Sequence, residues 1–348
     1  MDFAPDEDRR LIQETARGYL TDHAAHDFDA PEGWDAALWA GFAGELGFAG
    51  LMVPERFGGL GLDARTMAAV IAETGRMLAP IPFFETAVLA VHAILAGGSE
   101  AQQAALLPGI ASGDVRASFA GTARRPSLQG RRLTGDADFV SFGHVAQLFV
   151  VATREGPLVV LPAEAARVTR VANLDVTRPL STVHFDCAIA DDQLLTTPGA
   201  FEHTMAVAAG LLAAEQAGGA RHCLEMTADY ARQRVQFGRP IGSFQAVKHM
   251  LADMMVSVEA AHSAALLAAS VIDGEGDPAE ACSIARAWCS DEYLHCAGQA
   301  IQLHGGIGFT WEHPAHRYFK RARSSASWLG APADHRERIA ARIIPEAA

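Results

Sequence analysis

Lysine is nearly absent from this chain. Lys248 and Lys320 are the only two among 348 residues, so arginine carries nearly all the positive charge. Acidic side chains outnumber basic ones, 41 to 28, for a net charge of −13. A balance of that sign argues against nucleic-acid binding driven by phosphate neutralisation. Apolar runs are short: the longest, Ala206 to Ala214 and Ala264 to Ile272, cannot span a bilayer, so membrane insertion is not expected. The opening Met1-Asp-Phe-Ala-Pro-Asp-Glu-Asp8 is acidic and lacks the apolar core of a secretory signal, which makes a cytoplasmic setting the expectation. Walker A sequences, nucleophile elbows and Cys-x-x-Cys pairs are missing.

Cysteine is sparse too. Three of the five, Cys282, Cys289 and Cys296, recur every seven residues and so share one helix face. They are expected to be small buried residues of a helix seam rather than a metal or redox cluster. Four histidines fall late, at His295, His304, His313 and His316, with Glu312 beside His313. Their spacing fits no zinc motif, and no metal is expected.

Half of the residues are hydrophobic and a fifth charged, ordinary for a folded globular chain of two or three domains. Three segments differ in pattern. Residues 1–113 read as helical, with apolar three- and four-residue spacing over Asp6–His23, Trp34–Leu46 and Asp63–Leu78, then a helix through Ala87–Leu95. The intervening Leu51–Leu62 loop holds Gly58-Gly-Leu-Gly61; with no strand-to-helix unit around it, it reads as a turn. Residues 114–198 carry short β-branched and aromatic runs at Arg132–Val140, Gln147–Thr153, Pro157–Leu161 and Ser181–Asp186, a small antiparallel β domain. Residues 199–348 return to long helices at Phe201–Arg232, Ser243–Asp273 and Asp277–His304 joined by short loops, a helical bundle. The fold class is α+β: a helical domain, a small β domain and a C-terminal four-helix bundle.

Two motifs stand out in the last segment: Arg234-Val-Gln-Phe-Gly-Arg-Pro-Ile-Gly242 and Gln302-Leu-His-Gly-Gly-Ile-Gly308. Arg234 offers a planar charged fork suited to a phosphate or pyrophosphate. Three glycines in four residues let backbone N–H groups approach a ligand that a Cβ would exclude. Together they read as an anion cradle on a helical scaffold.

The α–β–α order and these motifs resemble the acyl-CoA dehydrogenase family over nearly the whole chain, and the Val53–Leu62 loop is similar to its N-terminal signature. The resemblance implies FAD as cofactor, an acyl-CoA thioester as substrate and an electron-transfer flavoprotein or similar acceptor. It also implies a homo- or hetero-oligomer, a dimer or tetramer, with the flavin lying between the β domain of one subunit and the bundle of a neighbour. Arg234, Gln236, Phe237 and Gln245 then match residues on the pyrophosphate and adenosine side. Gln302, Gly305 and Gly306 match the other end, and His304 is expected beside the adenine or pyrophosphate. In the family a carboxylate takes the α-proton while the β-hydride leaves for the flavin.

Departures from the family pattern are specific. Phe319-Lys-Arg-Ala-Arg323 matches its basic segment, but the loop that follows, Ser327-Trp-Leu-Gly-Ala-Pro332, has Leu329 where the base Glu is expected and Ala331 where Thr is expected. The alternative base position, on the first bundle helix, falls on Ala208 or Ala209. In the β domain, Ala117–Pro126 and Asp138-Phe-Val-Ser-Phe142 stand where members carry Thr-Glu-Pro…Gly-Ser-Asp and Trp-Ile-Thr-Asn-like stretches that grip the flavin ring and substrate. The catalytic base is therefore unassigned. One expectation is a base-lacking subunit of a hetero-oligomer acting on steroid or other bulky acyl-CoAs, the subgroup that Phe309–His316 resembles. The alternatives are a homo-oligomer with a relocated base (Glu215, Glu275 or Glu312), a non-catalytic interaction subunit, or a flavin-dependent monooxygenase.

Overall fold

Ten α-helices and ten strands follow one another along residues 7–24, 33–274 and 277–344, which the computed structural model describes. Helices α1 (Glu7–His23), α2 (Ala36–Trp39, continued as a π-helix to Glu45) and α3 (Ala64–Met77) come first. A second π-helix, Phe84–Ala90, runs into α4 (Val91–Gly97), followed by α5 (Glu100–Ala111). The strands β1 (Ala117–Ala120), β2 (Ser127–Gln129), β3 (Arg132–Ser141), β4 (Leu148–Ala152), β5 (Leu158–Pro162), β6 (Ala166–Val171), β7 (Leu180–Ala188) and β8 (Leu194–Leu195) come next. Then follow α6 (Ala200–Gln233), a hairpin of β9 (Val235–Gln236) and β10 (Arg239–Pro240), α7 (Gln245–Ile272), α8 (Pro278–His304), α9 (Ala315–Ser327) and α10 (Pro332–Ile343). The expected α+β class and the α–β–α order are what the chain adopts.

The chain divides into two compact units. One comprises Gly18–Met67 and Pro80–Ala208. Its strands form two four-stranded sheets, ordered β1-β4-β5-β8 and β2-β3-β7-β6. Inward residues of both interleave: Leu133, Val183 and Phe185 from one meet Phe149, Val151 and Val159 from the other, with Phe149 edge-on to Phe185 at 6.1 Å. Each such buried side chain contributes about 1.5–3 kcal/mol of transfer free energy. All pairings are antiparallel except β1 with β4, which run parallel. The β1–β4 connection passes through β2 and β3 in the other sheet, so the chain can return to the first sheet in the same direction.

The second unit comprises Met1–Arg17, Ala68–Ala79 and Ala209–Ala348. Helix α8 is its centre and packs against α7, α9 and α10. Asp277 caps α8 by accepting from Ala279 N–H at 2.9 Å, with Pro278 in the first turn. Cys282, Cys289 and Cys296 are buried free thiols pushed up to about 12 by desolvation, as expected of seam residues rather than redox centres. Helices α3 and α6 cross where side chains vanish: a Cβ on Gly218 would lie 1.9 Å from Ala72 O. Helix α7 is long and apolar enough by composition to cross a membrane, although its apolar run Ala264–Ile272 alone is not. Its Met254, Val258, Ala261 and Ala265 form one buried stripe, the pattern of a helix packed in a bundle.

Candidate functional site

The two glycine-containing motifs both lie in the second unit. Arg234 follows the last turn of α6, its N–H donating to Tyr230 O at 2.8 Å. The β9–β10 hairpin then turns on Phe237 and Gly238, both left-handed with φ of 53° and 79°. Such a two-residue turn favours Asn-Gly; phenylalanine there costs of order 1 kcal/mol. The ring gains little packing in return, since Phe237 is 91% exposed, 6.1 Å from the Phe244 ring in an edge-on contact. Arg239 stacks over Phe244 at 4.1 Å. Arg234, Gln236 and Gln245 all face solvent, the last at the start of α7, whose N-terminus has no side-chain cap.

Tyr230 links this arm to the second motif, stacking on His304 at 4.3 Å at the end of α8. His304 is buried, and burial lowers its pKa, so the ring is neutral. Its Nδ1–H donates to Ala300 O at 2.7 Å, leaving Nε2 as an acceptor with no partner. His313 lies 4.2 Å from His304, ring to ring. Beyond them the chain is bare. Gly305 has φ 63°, and a Cβ on either Gly305 or Gly306 would meet only open space. Gln302 is exposed, and Phe309 and Trp311 stand 75% and 64% exposed, with Lys320 over the Trp311 ring at 4.2 Å. Open backbone N–H groups and an exposed guanidinium are compatible with a dianionic pyrophosphate, and an accepting imidazole nitrogen with the amino group of a purine.

The positions where a base would stand are differently built. Ala208 and Ala209 are buried in α6. Leu329 is half-buried and left-handed at φ 59°, followed by Gly330 at 99°. Its turn is pinned from below by Arg286, a fully buried side chain of α8. Nη2 of Arg286 donates to the carbonyls of Ser325 (2.5 Å), Trp328 (2.6 Å) and Gly330 (3.3 Å), and Nη1 reaches Gln216 and Ser290. His335 completes the clamp: Nε2–H donates to Leu329 O at 3.2 Å and Nδ1 accepts from Ser283 Oγ at 3.3 Å. Desolvation, then the nearby Arg286 cation, pushes His335 down to about 4, so it serves here as a neutral donor.

Of the three other acids weighed, Glu215 is buried and paired with the equally buried Arg321 at 3.3 Å. Glu312 is exposed. Glu275 lies outside the described residues. Sequence patterns missed Arg286 and His335, because nothing in an alanine- and cysteine-rich helix or a charged C-terminal one marks a clamp. No group of three or more metal-capable side chains converges among the described residues.

Comparison with known proteins agrees with this architecture. Residues 6–114 match the acyl-CoA dehydrogenase N-terminal domain and residues 199–344 its C-terminal domain. Acyl-CoA dehydrogenase IpdE2 of Mycobacterium tuberculosis is 36% identical over 352 aligned residues, covering 98% of this chain and 99% of its own. The ChsE4-ChsE5 complex of Mycobacterium tuberculosis contains a chain 27% identical, with TM-score 0.90 and full coverage of both. The Tcur3481-Tcur3483 steroid ACAD is 31% identical, with TM-score 0.86 over 96% of each chain. The chain therefore belongs to the acyl-CoA dehydrogenase family, whose members are FAD-dependent oxidoreductases.

Proposed function

We propose that this chain is a base-lacking subunit of a hetero-oligomeric acyl-CoA dehydrogenase acting on a steroid-like or similarly bulky acyl-CoA. The observation that carries the proposal is the turn at Leu329: a clamped, strained turn, at the position the resemblance assigns to the base, bearing a side chain that cannot accept a proton. Ala208 is equally inert, and Glu215 is committed to Arg321. The two comparison structures named for paired proteins, one of them a steroid enzyme, support the same assignment.

In this assignment residues 199–348 form the lending segment, and residues 1–113 and 114–198 the helical and β segments of the same subunit. Arg234 and Gln236 hold a pyrophosphate, Phe237 and Gln245 the adenosine side, and Gln302, His304, Gly305 and Gly306 the other end of an FAD seated against a partner. FAD, when bound, supplies the hydride acceptor for α,β-dehydrogenation. The chain's own contribution is binding and orientation: a fixed cation, bare backbone N–H groups and a neutral imidazole acceptor. The acid–base step falls to a carboxylate on the partner, and an electron-transfer flavoprotein or similar carrier takes the electrons onward. Phe237, Val256, Phe309 and Trp311 are exposed apolar side chains that a partner subunit would cover.

The test is purification of the chain alone and co-expressed with a dehydrogenase subunit encoded beside it. Flavin absorbance and turnover should both be deficient alone and appear together in the complex. Stoichiometric FAD with full turnover by the chain alone would refute the proposal.

A further inference from the structure

Helix α9 starts without a conventional cap. Pro314 precedes Ala315 and offers no polar side chain, and no acidic residue stands in the first turn. The Ala315 N–H donates instead to Nδ1 of His313, at 3.2 Å. An imidazole nitrogen here does what a Ser or Asp oxygen does at other helix starts. Unlike a serine oxygen, this acceptor titrates. A proton on Nδ1 turns it into a donor facing a donor, and leaves a cation at the positive end of the helix dipole. The bond therefore exists only while His313 is neutral.

The surroundings keep that ring neutral. His304 of α8 packs on it at 4.2 Å, and Tyr230 of α6 meets it edge-on at 6.4 Å. On α9 stands His316, acted on by the Lys320 and Arg317 cations and edge-on to Trp311 at 4.8 Å. No carboxylate acts on any of the three imidazoles among the described residues, and Glu312 is exposed. Desolvation first, then His304 and His316, push His313 down to about 4. His304 and His316 are buried with an unpartnered Nε2 each, so a proton taken up there would lie buried without an acceptor. His313 is only half-buried, and is the ring of the three that water reaches. The loop it closes runs from Gly305 to Pro314 and is otherwise lightly tied: Thr310 Oγ1 donates to Ile307 O at 3.0 Å, and His313 N–H to Thr310 O at 3.4 Å.

We propose that His313 is a proton-operated cap: neutral, it fastens the α8–α9 loop to the start of α9, and protonated in acid it releases that loop together with the bare Gly305–Gly306 backbone on it. The proposal rests on the flavin assignment only for the ligand that release would loosen. Hydrogen exchange of the full-length chain, corrected for the intrinsic pH dependence of exchange and read by mass spectrometry, follows the loop without any ligand. Protection at 310–318 should fall roughly tenfold or more between pH 7 and pH 5, as a ring held at about 4 when capped and about 6.5 when free requires, while α7 peptides at 254–265 keep theirs. His313→Asn retains a capping acceptor that does not titrate, so its protection at pH 5 should match that at pH 7. His313→Ala removes the acceptor and should lose protection at pH 7 already. A fall in His313→Asn as large as in the parent, an equal fall in α7, or full protection in His313→Ala overturns the proposal whatever the flavin does. FAD affinity of the partner-assembled complex, read by flavin fluorescence, should weaken between the same pH values in the parent and hold in His313→Asn. A loop that opens in acid with unchanged FAD affinity upholds the cap and overturns the assignment of Gly305 and Gly306 to the flavin.

Discussion

The cradle around Gly305 and the turn at Leu329 lie in one unit and follow one another in sequence, yet they are built in opposite ways. The cradle turns its groups outward: Arg234 and Gln302 are exposed, Phe237 is held in solvent on a strained hairpin, and His304 Nε2 has no partner. The turn directs its backbone inward, with the carbonyls of Ser325, Trp328, Leu329 and Gly330 all satisfied by Arg286 and His335. An outward surface with unmet capacity waits for something outside the chain. An inward one with every acceptor met is finished as it stands. In the assignment proposed above, the chain is ligand-facing at one end of α8 and architectural at the other.

The largest effect expected from breaking that contrast is at Arg286. Arg286→Met keeps apolar bulk but strands several buried carbonyls, costing about 3–5 kcal/mol and lowering Tm on the order of 10 °C. Arg234→Ala, on the exposed arm, should leave Tm within about 2 °C and instead strip FAD from the assembled complex. Thermal unfolding and flavin content measured on both variants check this. Equal destabilisation by the two would mean the cradle is as architectural as the turn.

Much of the fold was legible because long amphipathic patterns leave little choice. The expected helices Phe201–Arg232 and Asp277–His304 differ from α6 and α8 by a residue at most, and Arg132–Val140 falls within β3. Short edges were not legible: β1, β2 and β8 are two to four residues long, too few for a period to register. Helix α2 was seen as one helix over Trp34–Leu46, but most of it is π, which apolar spacing cannot distinguish. The candidate site was legible where glycine and arginine recur in a pattern, at Arg234–Gly242 and Gln302–Gly308. It was not legible where a residue acts through space on a distant segment, as Arg286 and His335 do.

Acid sharpens the same comparison with a middling effect. His335 is held at about 4, below its ordinary 6.5, by desolvation and by Arg286. The folded state therefore binds this proton less readily than the unfolded one. Its contribution is full above the unfolded pKa and is lost as pH falls from about 6.5 toward about 4, by at most roughly 3–4 kcal/mol. His92, buried and also pushed to about 4 by desolvation, titrates with the same sign. Tm should fall between pH 7 and pH 5, and His335→Gln, which can still donate to Leu329 O and accept from Ser283, should fall less. An identical slope in the variant would show that the turn is not held by a neutral imidazole.

The smallest effect expected is at Leu329 itself. Asparagine tolerates left-handed backbone better than leucine, so Leu329→Asn relieves roughly 1 kcal/mol of strain. It also forfeits the burial of a half-covered apolar side chain, a loss of similar size. The two nearly cancel, and Tm should move by less than about 2 °C. If the turn is finished architecture, turnover of the assembled complex moves just as little. A tenfold or larger fall in kcat at unchanged Tm would place Leu329 against the reacting substrate, and the inward-facing half of the comparison would then be ligand-facing as well.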